Sequence, residues 1–496
     1  MYSRPWSRLY TDGSVGRPSF VAEFGLWDEH QLAVAEQLEA ELDELDFVRL
    51  AFCDPHGLAR SKTLTAAAFR TVLRNGMDFS PGPFLFDTGH AVAVDFQADG
   101  GIGVAELAGC GDMVVVPDPT TFQVLPGREP RTAWVLGDEY LRDGSPHPLS
   151  TRHVLRSVCD SYTAAGLTPV IGLEVEWYLT RALGGGPGHA GNGFGLQGAA
   201  PRVQPMNAGY QFNSDSYYDT VAGVAEPLAL QLLRLGLPLR SMEHESGPGQ
   251  LETTFNPMQA LDAADAMLLF RTLVKQNCSR LGYHASFMSL PKIDGFDPSG
   301  WHLHQSVMDA ATGRNLFADA GPDGISAQGL AYINGLLDRA REYCLLSVPT
   351  VNGYRRLGPD FPFSPTRIGW STEDRTVLVR VLGGGDNSAH LENRVGEPCA
   401  NPYLLMAAQL HAGLQGLLAP AGPTAGTDQV LPQSLAEAVE VFTDGRATEL
   451  LGRSLALCLT KLKQSEVTRY EEWCAKEQPT EDGVTEWEQR EYFENY

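Results

Sequence analysis

The sequence predicts an α+β protein of two domains, a small sheet-rich domain followed by a larger mixed one. At 496 residues, the chain is longer than a single hydrophobic core usually supports. Short β-rich stretches separated by Pro and Gly turns fill residues 46–145, whereas helical and strand-like patterns alternate from about residue 149. We therefore expect an N-terminal extension and helix over 1–45, the small domain over 46–145 and the large domain over 146–496.

Composition and charge exclude several classes of protein. The net charge of −24 repels nucleic-acid backbones, so no nucleic-acid partner is expected. No stretch approaches the roughly 18 consecutive apolar residues of a membrane span, and no apolar run follows Arg4 and Arg8 as it would in a signal peptide. The eight cysteines include no close pair and are interpreted as reduced thiols. We expect a cytoplasmic protein without a membrane segment.

The elements of the small domain follow from capping and alternation. Asp28 is the predicted N-cap of a helix whose apolar residues repeat at three and four. The β-rich stretches 47–53 and 59–65 flank the turn 54–57, and this pattern predicts a hairpin. Further short strands are predicted over 91–96, 113–116 and 133–136.

The large domain begins with a predicted helix over 153–165 and a strand over 169–179. Residues 183–201 are Gly-rich and predict a mobile loop or an insertion. The clearest helix covers 258–281, where the apolar residues form one stripe that we interpret as core. Further helices are predicted over 327–346, 402–418 and 447–476.

Three short motifs carry polar residues spaced by two, which places each pair on one face of a strand. Glu174 and Glu176 lie in an apolar stretch. A solvated strand face is the simpler interpretation, but the apolar flanks predict a covered strand, where two like charges need a cation. The other pairs are His302 with His304 and Glu392 with Arg394. Each pair alone is more typical of a structural role than of catalysis.

Glu245 and Glu252 flank the turn 246–250, which can bring two carboxylates to one point. Four glutamates with one or two histidines are typical of a hard-cation site, because oxygen ligands dominate. Arg375 and Arg380 bracket a predicted strand at a spacing of five, so Arg375 must lie on the preceding turn if both are to face one site. A divalent-metal cluster with several arginines is what phosphoryl transfer requires.

Taken together, these segments resemble the glutamine synthetase family over nearly the whole chain. No single segment is specific, but their shared order is. The matching segments are GLEVEWYL (172–179), ESGPGQLE (245–252), GWHLHQS (300–306), PTVNGYRRLGP (349–359), EDRTVLVR (373–380), HLENR (390–394), NPYL (401–404) and the final VTEWE (484–488).

The resemblance implies a β-grasp-like small domain and, over 146–496, a catalytic domain with a curved antiparallel sheet flanked by helices. It also implies rings of subunits stacked in pairs, a dodecamer, in which the small domain of one subunit closes its neighbour's active site. The implied reaction uses ATP to phosphorylate a side-chain carboxylate, and an amine then attacks the acyl phosphate and expels phosphate. Metals and arginines would neutralise charge, and exclusion of water would protect the acyl phosphate.

The family's functional residues map onto this chain one by one. The first Mg²⁺ (or Mn²⁺) ion would be held by Glu176, Glu245 and Glu252, and the second by Glu174, His302 and Glu392. The acid substrate would contact Arg356, Arg394, Asp297, Glu176 and His302. Arg375 and Arg380 match the arginines on the ATP phosphates, and with Arg394 they are the expected catalytic arginines. Ser306 and Phe255 fall near the family's nucleotide pocket.

The sequence departs from the family where ammonium would bind. The family's Asp-Gly-Ser turn is absent from residues 75–83, where Asp78 is the nearest acid, and Phe363 stands near the place of a second family acid. The same segments offer Phe79, Phe84, Phe361 and Phe363 as an apolar wall. We therefore expect an organic or nitrogen–nitrogen amine as the acceptor. Its proton would pass to Asp78 or Asp360, or the amine would arrive neutral.

Two further departures concern the acid and the phosphates. Asp297-Pro298 replaces the family's Asn-Gly, which stiffens the loop and leaves a carboxylate that can accept from an α-ammonium group. His390 replaces an arginine that is usual in the phosphate-binding group. Three hypotheses remain open: a ligase of glutamate and an organic amine, a true glutamine synthetase that uses ammonium, and a catalytically dead structural relative.

Overall fold

The computed structural model of the protein describes residues 18–184, 197–318, 321, 324–358, 360–383, 385–419, 429–479 and 483–496. Most of the predicted Gly-rich loop over 183–201 lies outside these residues. The helices are α1 (Phe20–Phe24), α2 (Glu29–Glu41), α3 (Ala66–Asn75), α4 (Gly82–Leu85), α5 (Thr151–Ala164), α6 (Asp215–Arg234), α7 (Ala260–Arg280), α8 (Ala327–Arg339), α9 (Cys344–Ser347), α10 (Gly353–Arg356), α11 (Pro402–Leu418), α12 (Leu435–Asp444), α13 (Ala447–Glu477) and α14 (Glu486–Tyr492).

The strands form two sheets. They are β1 (Phe47–Cys53), β2 (Ala59–Thr65), β3 (Met77–Phe79), β4 (Met113–Pro117), β5 (Gln123–Val124), β6 (Thr132–Tyr140), β7 (Leu167–Ala182), β8 (Val203–Pro205), β9 (Leu239–His244), β10 (Gln250–Phe255), β11 (Met258–Gln259), β12 (Tyr283–Ser286), β13 (Trp301–Asp309), β14 (Trp370–Thr372), β15 (Val379–Leu382) and β16 (His390–Asn393). A small sheet precedes a large, mainly antiparallel sheet with helices, which confirms the predicted α+β fold class.

Two compact units are interleaved along the sequence. The first contains 18–52, 61–79 and 112–147, and the second contains 53–60, 80–111 and 148–496. The domain boundaries expected after residues 45 and 145 remain predictions.

The first unit is built on a six-stranded sheet in the order β2-β1-β6-β4-β3, with β5 beside β6. β1 and β6 run parallel, and β4 is antiparallel to β6. Asp28 caps α2 through a capping box, as predicted. Helix α3 was not predicted, although Thr65 caps it and the buried Phe69 and Leu73 lie on one face.

The second unit is built on a ten-stranded sheet whose main path is β14-β15-β16-β13-β7-β10-β9. The 16-residue strand β7 is its centre, and β8, β11 and β12 also pair with it. On one face of β7, Leu173, Val175 and Trp177 are buried; the Trp177 ring stacks on Phe287, which meets Phe270 of α7 edge to face. Alternation therefore turns Glu174 and Glu176 to the opposite face.

The helices of the second unit match the predictions unevenly. The apolar stripe of α7 is core, as predicted, with Met267, Phe270 and Val274 buried. The helix predicted over 327–346 is instead broken after Arg339 into α8 and α9. The strand predicted over 91–96 is wrong, because Val92 and Phe96 are exposed and the segment makes only an isolated bridge.

α6 was not predicted, and it contains Pro227. Across the described ranges, we find no helix long and apolar enough to cross a lipid bilayer.

Candidate active site

The register of the large sheet brings the predicted metal-binding and phosphate-binding residues side by side. On β7, Glu174 faces His302 of β13 and Glu176 faces Glu252 of β10. Residues directly opposite in an antiparallel pair have their Cβ atoms about 4.5–5.5 Å apart. The remaining pairs on this face are His304 with Glu392, Arg380 with Glu392, and Glu252 with Glu243. One face of six neighbouring strands, β15, β16, β13, β7, β10 and β9, therefore carries these polar residues.

Glu174 is the hub of the histidine side of this face. His302 Nδ1 lies 2.6 Å from one of its carboxylate oxygens, and His304 Nε2 lies 3.0 Å from the other. His302 Nδ1 is also 3.5 Å from Glu392, which is buried. Burial raises the pKa of Glu174, but the hydrogen bonds and charges of the two histidines outweigh it and hold that pKa below its ordinary range.

The carboxylates of Glu252, Glu245 and Glu176 repel one another. Burial raises the pKa of Glu252, and the charges of Glu174, Glu176 and Glu245 raise it further. Burial, together with the charges of Glu176 and Glu243, raises the pKa of Glu245 to about 8. The pKa of Glu176 is also raised, first by burial. Buried carboxylates this close together can all be ionised at neutral pH only if a cation neutralises them.

The ligand atoms fit divalent cations. Within 4.8 Å of one another lie ligand atoms of Glu174, Glu252 and His302, and likewise those of Glu174, His304 and Glu392. These two groups differ from the two ligand sets that the family resemblance implies. Glu174 belongs to both groups, and His304 belongs to neither of the implied sets. The assignment of each residue to a particular ion stays a prediction.

Glu245 and Glu252 are placed by the turn between β9 and β10. Glu245 N donates to Gln250 O at 2.9 Å, which closes the turn. Two glycines allow its close packing: a Cβ on Gly247 would overlap the Tyr178 hydroxyl, and Gly249 has φ of +84°. Gln250 Nε2 donates to Glu176 at 3.3 Å, so the turn also supports a carboxylate of the neighbouring strand.

Two arginines hold Glu392. Arg380 donates to one of its carboxylate oxygens at 3.2 Å, and Arg394 donates to the other. Arg380 also donates to Glu373 at 2.8 Å. The Nε atoms of both arginines are buried and have no hydrogen-bond partner in the described part of the chain. Two guanidinium groups with unused donors on a sheet face suit an anionic ligand such as phosphate.

The other two predicted arginines, Arg356 and Arg375, have different surroundings. Arg356 is buried and donates to the carbonyls of Arg394, Val395 and Gly396 at 2.7, 3.0 and 3.2 Å. Its guanidinium therefore fixes the backbone that follows Glu392. Arg375 lies in the exposed turn between β14 and β15, where the spacing argument placed it.

A cavity of about 490 Å³ adjoins the carboxylates. Ser306 and Phe255, the predicted nucleotide contacts, both line it, together with Glu174 and Glu252. Two lining residues, Arg240 and Glu243, were not predicted as site residues. A signal existed for Glu243, because it precedes Glu245 by two and a strand face repeats every second residue. His304 and His390, which the sequence singled out without assigning them to either metal ion, also line the cavity.

Asp297 is held beside the carboxylate face by Tyr178. The Tyr178 hydroxyl donates to Asp297 O at 2.9 Å and accepts from Asp297 N at 2.8 Å. Tyr178 also stacks on Phe296, with ring centroids 4.0 Å apart. The same loop reaches Glu176, because Gly300 N donates to its carboxylate at 2.9 Å. Partial burial raises the pKa of Asp297.

The aromatic residues proposed as an apolar wall divide into two pairs. Phe79 is buried against Phe52, with ring centroids 5.2 Å apart, and Phe84 is fully buried in α4. These two are core residues, so this part of the prediction is wrong. Phe361 is half-buried and Phe363 is 65% exposed, and both follow Leu357 in one loop. Asp78 is exposed in β3, where Arg142 Nη2 lies 3.3 Å from its carboxylate.

The chain is similar to known proteins over most of its length. Residues 148–492 match the family described as glutamine synthetase, catalytic domain. The chain is 38% identical to gamma-glutamylanilide synthase from Acinetobacter sp. over 96% of this chain and 98% of that protein. It is 31% identical to glutamine synthetase from Methanosarcina mazei over 75% of this chain and 76% of that protein.

Solved structures are similar as well. The fold matches ligand-free GmaS with a TM-score of 0.71 and 27% identity, over 91% of this chain and 97% of that one. It matches a GmaS/ADP complex with the same TM-score and identity, over 92% and 98% of the two chains.

The stabilisation of the protein by Mg²⁺ should increase with pH. With a folded pKa of about 8 against an ordinary value of 4.5, ionisation of Glu245 opposes folding once the pH exceeds 4.5, so the metal-free protein loses stability towards pH 8. A divalent cation binds the ionised form and offsets this loss. Thermal unfolding with and without Mg²⁺ should therefore give a larger rise in Tm at pH 8 than at pH 6.

Matched variants test the origin of that difference. Glu245→Gln removes the titrating group and should reduce the pH dependence of the Mg²⁺ effect. Glu106→Gln changes an exposed glutamate outside the large sheet and should leave it unchanged. An equal rise of Tm at both pH values in the unaltered protein would contradict the prediction.

Proposed function

Because the chain belongs to the glutamine synthetase family and is an ATP-dependent ligase that forms a carbon–nitrogen bond, we propose that it joins the side-chain carboxylate of glutamate, or of a close analogue, to an organic amine or a hydrazine. The observation that carries the choice of acceptor is a pair of exposed aromatic residues in a loop whose backbone is hydrogen-bonded to the residues on both sides of Glu245. The relative named gamma-glutamylanilide synthase, 38% identical over 96% of the chain, supports an aromatic acceptor.

The activating step needs charge neutralisation at the transferred phosphoryl group. Arg380 and Arg394 present buried guanidinium donors on the face that carries the carboxylates, and Arg375 lies on the turn before β15. We assign Arg375 and Arg380 to the ATP phosphates, and Arg394 acts with them from the acid side on the developing acyl phosphate. Divalent metal ions, when bound by the six predicted ligands, would supply further positive charge at the phosphates. The chain's own contribution is to fix those ligands on one rigid sheet face.

The acid substrate is assigned to the side of the face that carries Glu176. Arg394 lies on that side, where its carbonyl oxygen accepts a hydrogen bond from Arg356. The Tyr178 hydroxyl holds the backbone of Asp297 nearby. A carboxylate at Asp297 can accept hydrogen bonds from the α-ammonium group of glutamate. An Arg394 guanidinium can clamp the α-carboxylate. Glu176 and His302 complete the proposed contacts with the acid.

The acceptor is assigned to the loop 207–213. Tyr210 N donates to Ser246 O at 2.7 Å and Asn213 N donates to His244 O at 3.1 Å, so this loop is fixed on both sides of Glu245. Tyr210 is 73% exposed and Phe212 is 64% exposed. Exposed rings next to a carboxylate suit an amine that carries an aromatic or apolar group, because a ring can stack on such a group while the amine faces the acid.

The proton of the acceptor is the remaining requirement. The nucleophile is the neutral amine, and a site for ammonium needs carboxylates to hold and deprotonate it. The family's Asp-Gly-Ser turn is absent from residues 75–83, and Phe363 is exposed in the loop where the second family acid is expected. An aniline or an arylhydrazine is weakly basic, because its aromatic ring delocalises the nitrogen lone pair, and it arrives mainly neutral near pH 7. Asp78 and Asp360 stay the candidates for a base with more basic amines.

Two other functions lead to different expectations. A true glutamine synthetase would use ammonium, and the relative from Methanosarcina mazei carries that name. A catalytically dead relative would have lost metal ligands, yet all six predicted positions keep Glu or His. ADP release with a panel of amines separates the three functions in one experiment.

The acceptor panel should favour aromatic amines. With glutamate and ATP, the kcat/KM for aniline or phenylhydrazine should exceed that for ammonium. Phe212→Ala and Phe363→Ala should each lower kcat/KM for the aromatic acceptor by about tenfold, the size of one lost aromatic contact, with a smaller effect for methylamine. Phe96→Ala removes a 44% exposed ring elsewhere and is the matched control. If ammonium outcompetes every tested amine, the protein is a glutamine synthetase.

Glu392 should be essential for ligation. Glu392→Gln keeps the shape and one acceptor oxygen, but it replaces the other oxygen by an NH2 donor and removes the negative charge that binds a metal ion. ADP release should fall by at least about 100-fold, with a Tm close to that of the unaltered protein. Glu29→Gln, at an exposed position of α2, should retain full activity. Full activity of Glu392→Gln would remove this residue from the metal site.

The active protein should be an oligomer. By family resemblance we propose rings of subunits stacked in pairs, with a site completed by the neighbouring small domain. Heterologous contacts that close into a ring create such shared sites. Light scattering after size-exclusion chromatography at working concentrations should give a mass many times the 53.9 kDa of one chain. An active monomer would contradict the shared site.

A further inference from the structure

Glu397 is a fully buried glutamate that is not among the groups assigned to the metal ions or the substrates. It lies between β16 and α11. Burial raises the pKa of Glu397 to about 7, and hydrogen bonds from Ser289 and Thr350 counteract part of that rise. A carboxylate taken out of water costs free energy unless its acceptor sites are filled. The groups that fill them therefore indicate what Glu397 does.

The two carboxylate oxygens of Glu397 bind two different loops. One oxygen accepts from Thr350 N at 2.9 Å, and the other accepts from Thr350 Oγ1 at 2.8 Å and from Ser289 Oγ at 2.7 Å. Thr350 Oγ1 accepts from Gly353 N at 2.9 Å, so its own proton is available for the carboxylate. One carboxylate therefore joins two loops that are distant in sequence.

Both loops continue into residues that we assign to the acid substrate. Ser289 lies on the loop between β12 and β13, which also carries Asp297. Within this loop, Ser289 O accepts from Ser299 N at 2.7 Å. Thr350 lies on the short loop between α9 and α10, and Arg356 is the last residue of α10. The contacts of Glu397 thus reach the supports of two proposed acid contacts.

The segment of Glu397 and the two loops meet at the acid end of the site. Arg356 donates to Arg394 O at 2.7 Å, three residues before Glu397. A Cβ on Gly300 would lie 2.7 Å from Arg356 Nη2 and 3.1 Å from His302 Nε2, so only glycine fits between these side chains. Burial lowers the pKa of Arg356 to about 10, and the charge of Glu397 counteracts part of that shift. The spacing of the three segments is therefore tightly constrained.

We propose that Glu397 is a positioning residue for the acid substrate. By holding both loops against its own segment, its carboxylate sets the spacing of Asp297, Arg356 and Arg394, and it acts through these groups without contacting the substrate. The inference rests on the proposed function for the assignment of the acid to these residues, but it is independent of the choice of acceptor. If ammonium proves to be the best acceptor, the proposed function fails and this inference stands.

Glu397→Gln separates positioning from a general structural role. The amide keeps the size of the side chain and one oxygen for Thr350 N, but its NH2 group cannot accept from the two hydroxyls. The change also removes a buried charge whose ionisation opposes folding above the ordinary pKa of 4.5. These two effects on the free energy of unfolding have opposite signs, so the Tm should change by only a few degrees.

Glutamate affinity is the first readout. Calorimetric titration with Mg²⁺ and a non-hydrolysable ATP analogue, without any amine, should show about tenfold weaker glutamate binding in Glu397→Gln and unchanged affinity for the ATP analogue. In steady-state assays the KM for glutamate should rise about tenfold with kcat nearly unchanged. Glu397→Asp keeps the charge but is one methylene shorter, and it should fall between the two. Glu472→Gln, at an exposed position of α13, is the matched control and should bind as the unaltered protein does.

Amide hydrogen exchange is the second readout, and it requires no substrate. Glu397→Gln should increase exchange in both loops, 287–300 and 348–352, because it releases both. Ser289→Ala should increase exchange only in the first loop, and Thr350→Val only in the second.

Two outcomes would overturn the proposal. One is an unchanged affinity for glutamate in the folded Glu397→Gln protein. The other is an equal loss of affinity for glutamate and for the ATP analogue together with a large fall in Tm, which would identify Glu397 as a general structural residue.

Discussion

The structure depends on one electrostatic constraint, the crowding of carboxylates on one face of the large sheet. Alternation along β7 sends Glu174 and Glu176 to that face while Val175 and Trp177 enter the core. The partner strand adds Glu252, and burial with mutual repulsion raises its pKa. Such an arrangement is stable at neutral pH only with positive charge beside it. Histidines and arginines lie beside the carboxylates, the proposed divalent cations would add further positive charge, and positive charge is also what a phosphoryl group needs.

A second layer of buried polar contacts fixes the backbone that carries these groups. Arg356 donates to three successive carbonyls after Glu392, and Arg271 of α7 donates to Pro398 O at 2.7 Å and Ala400 O at 3.1 Å. Glu397 lies in the sequence between the carbonyls that Arg356 binds and those that Arg271 binds. Its carboxylate accepts hydrogen bonds from the hydroxyl groups of Ser289 and Thr350. Each contact satisfies a group that would otherwise be buried without a partner. Removing one of these side chains would therefore disturb Glu392 and Arg394 by displacing the backbone that carries them.

The two ends of the site are built differently, and this difference suits their tasks. The proposed phosphate end is formed by strands, where Arg380, Glu392 and His304 are fixed by register. The proposed acceptor end is formed by loops, which carry the exposed aromatic residues Tyr210, Phe212 and Phe363. Phosphoryl transfer is common to the family and needs fixed geometry, whereas acceptor choice varies and loops accommodate such variation most easily. A glutamine-synthetase-like site can thus change its amine without changing its sheet.

The sequence by itself determined the fold class, the strand that carries Glu174 and Glu176, the capped helix after Asp28 and the order of the family segments. Those features depend on local alternation, capping and residue spacing, which a sequence displays directly. Only the tertiary structure decided that Phe79 and Phe84 are core, that the segment 91–96 is not a strand, and that Arg356 serves the backbone. It alone also placed His304 and His390 together in one cavity. Those features depend on which distant strands pair and in what register, and residues far apart in sequence carry no local signal of such pairing.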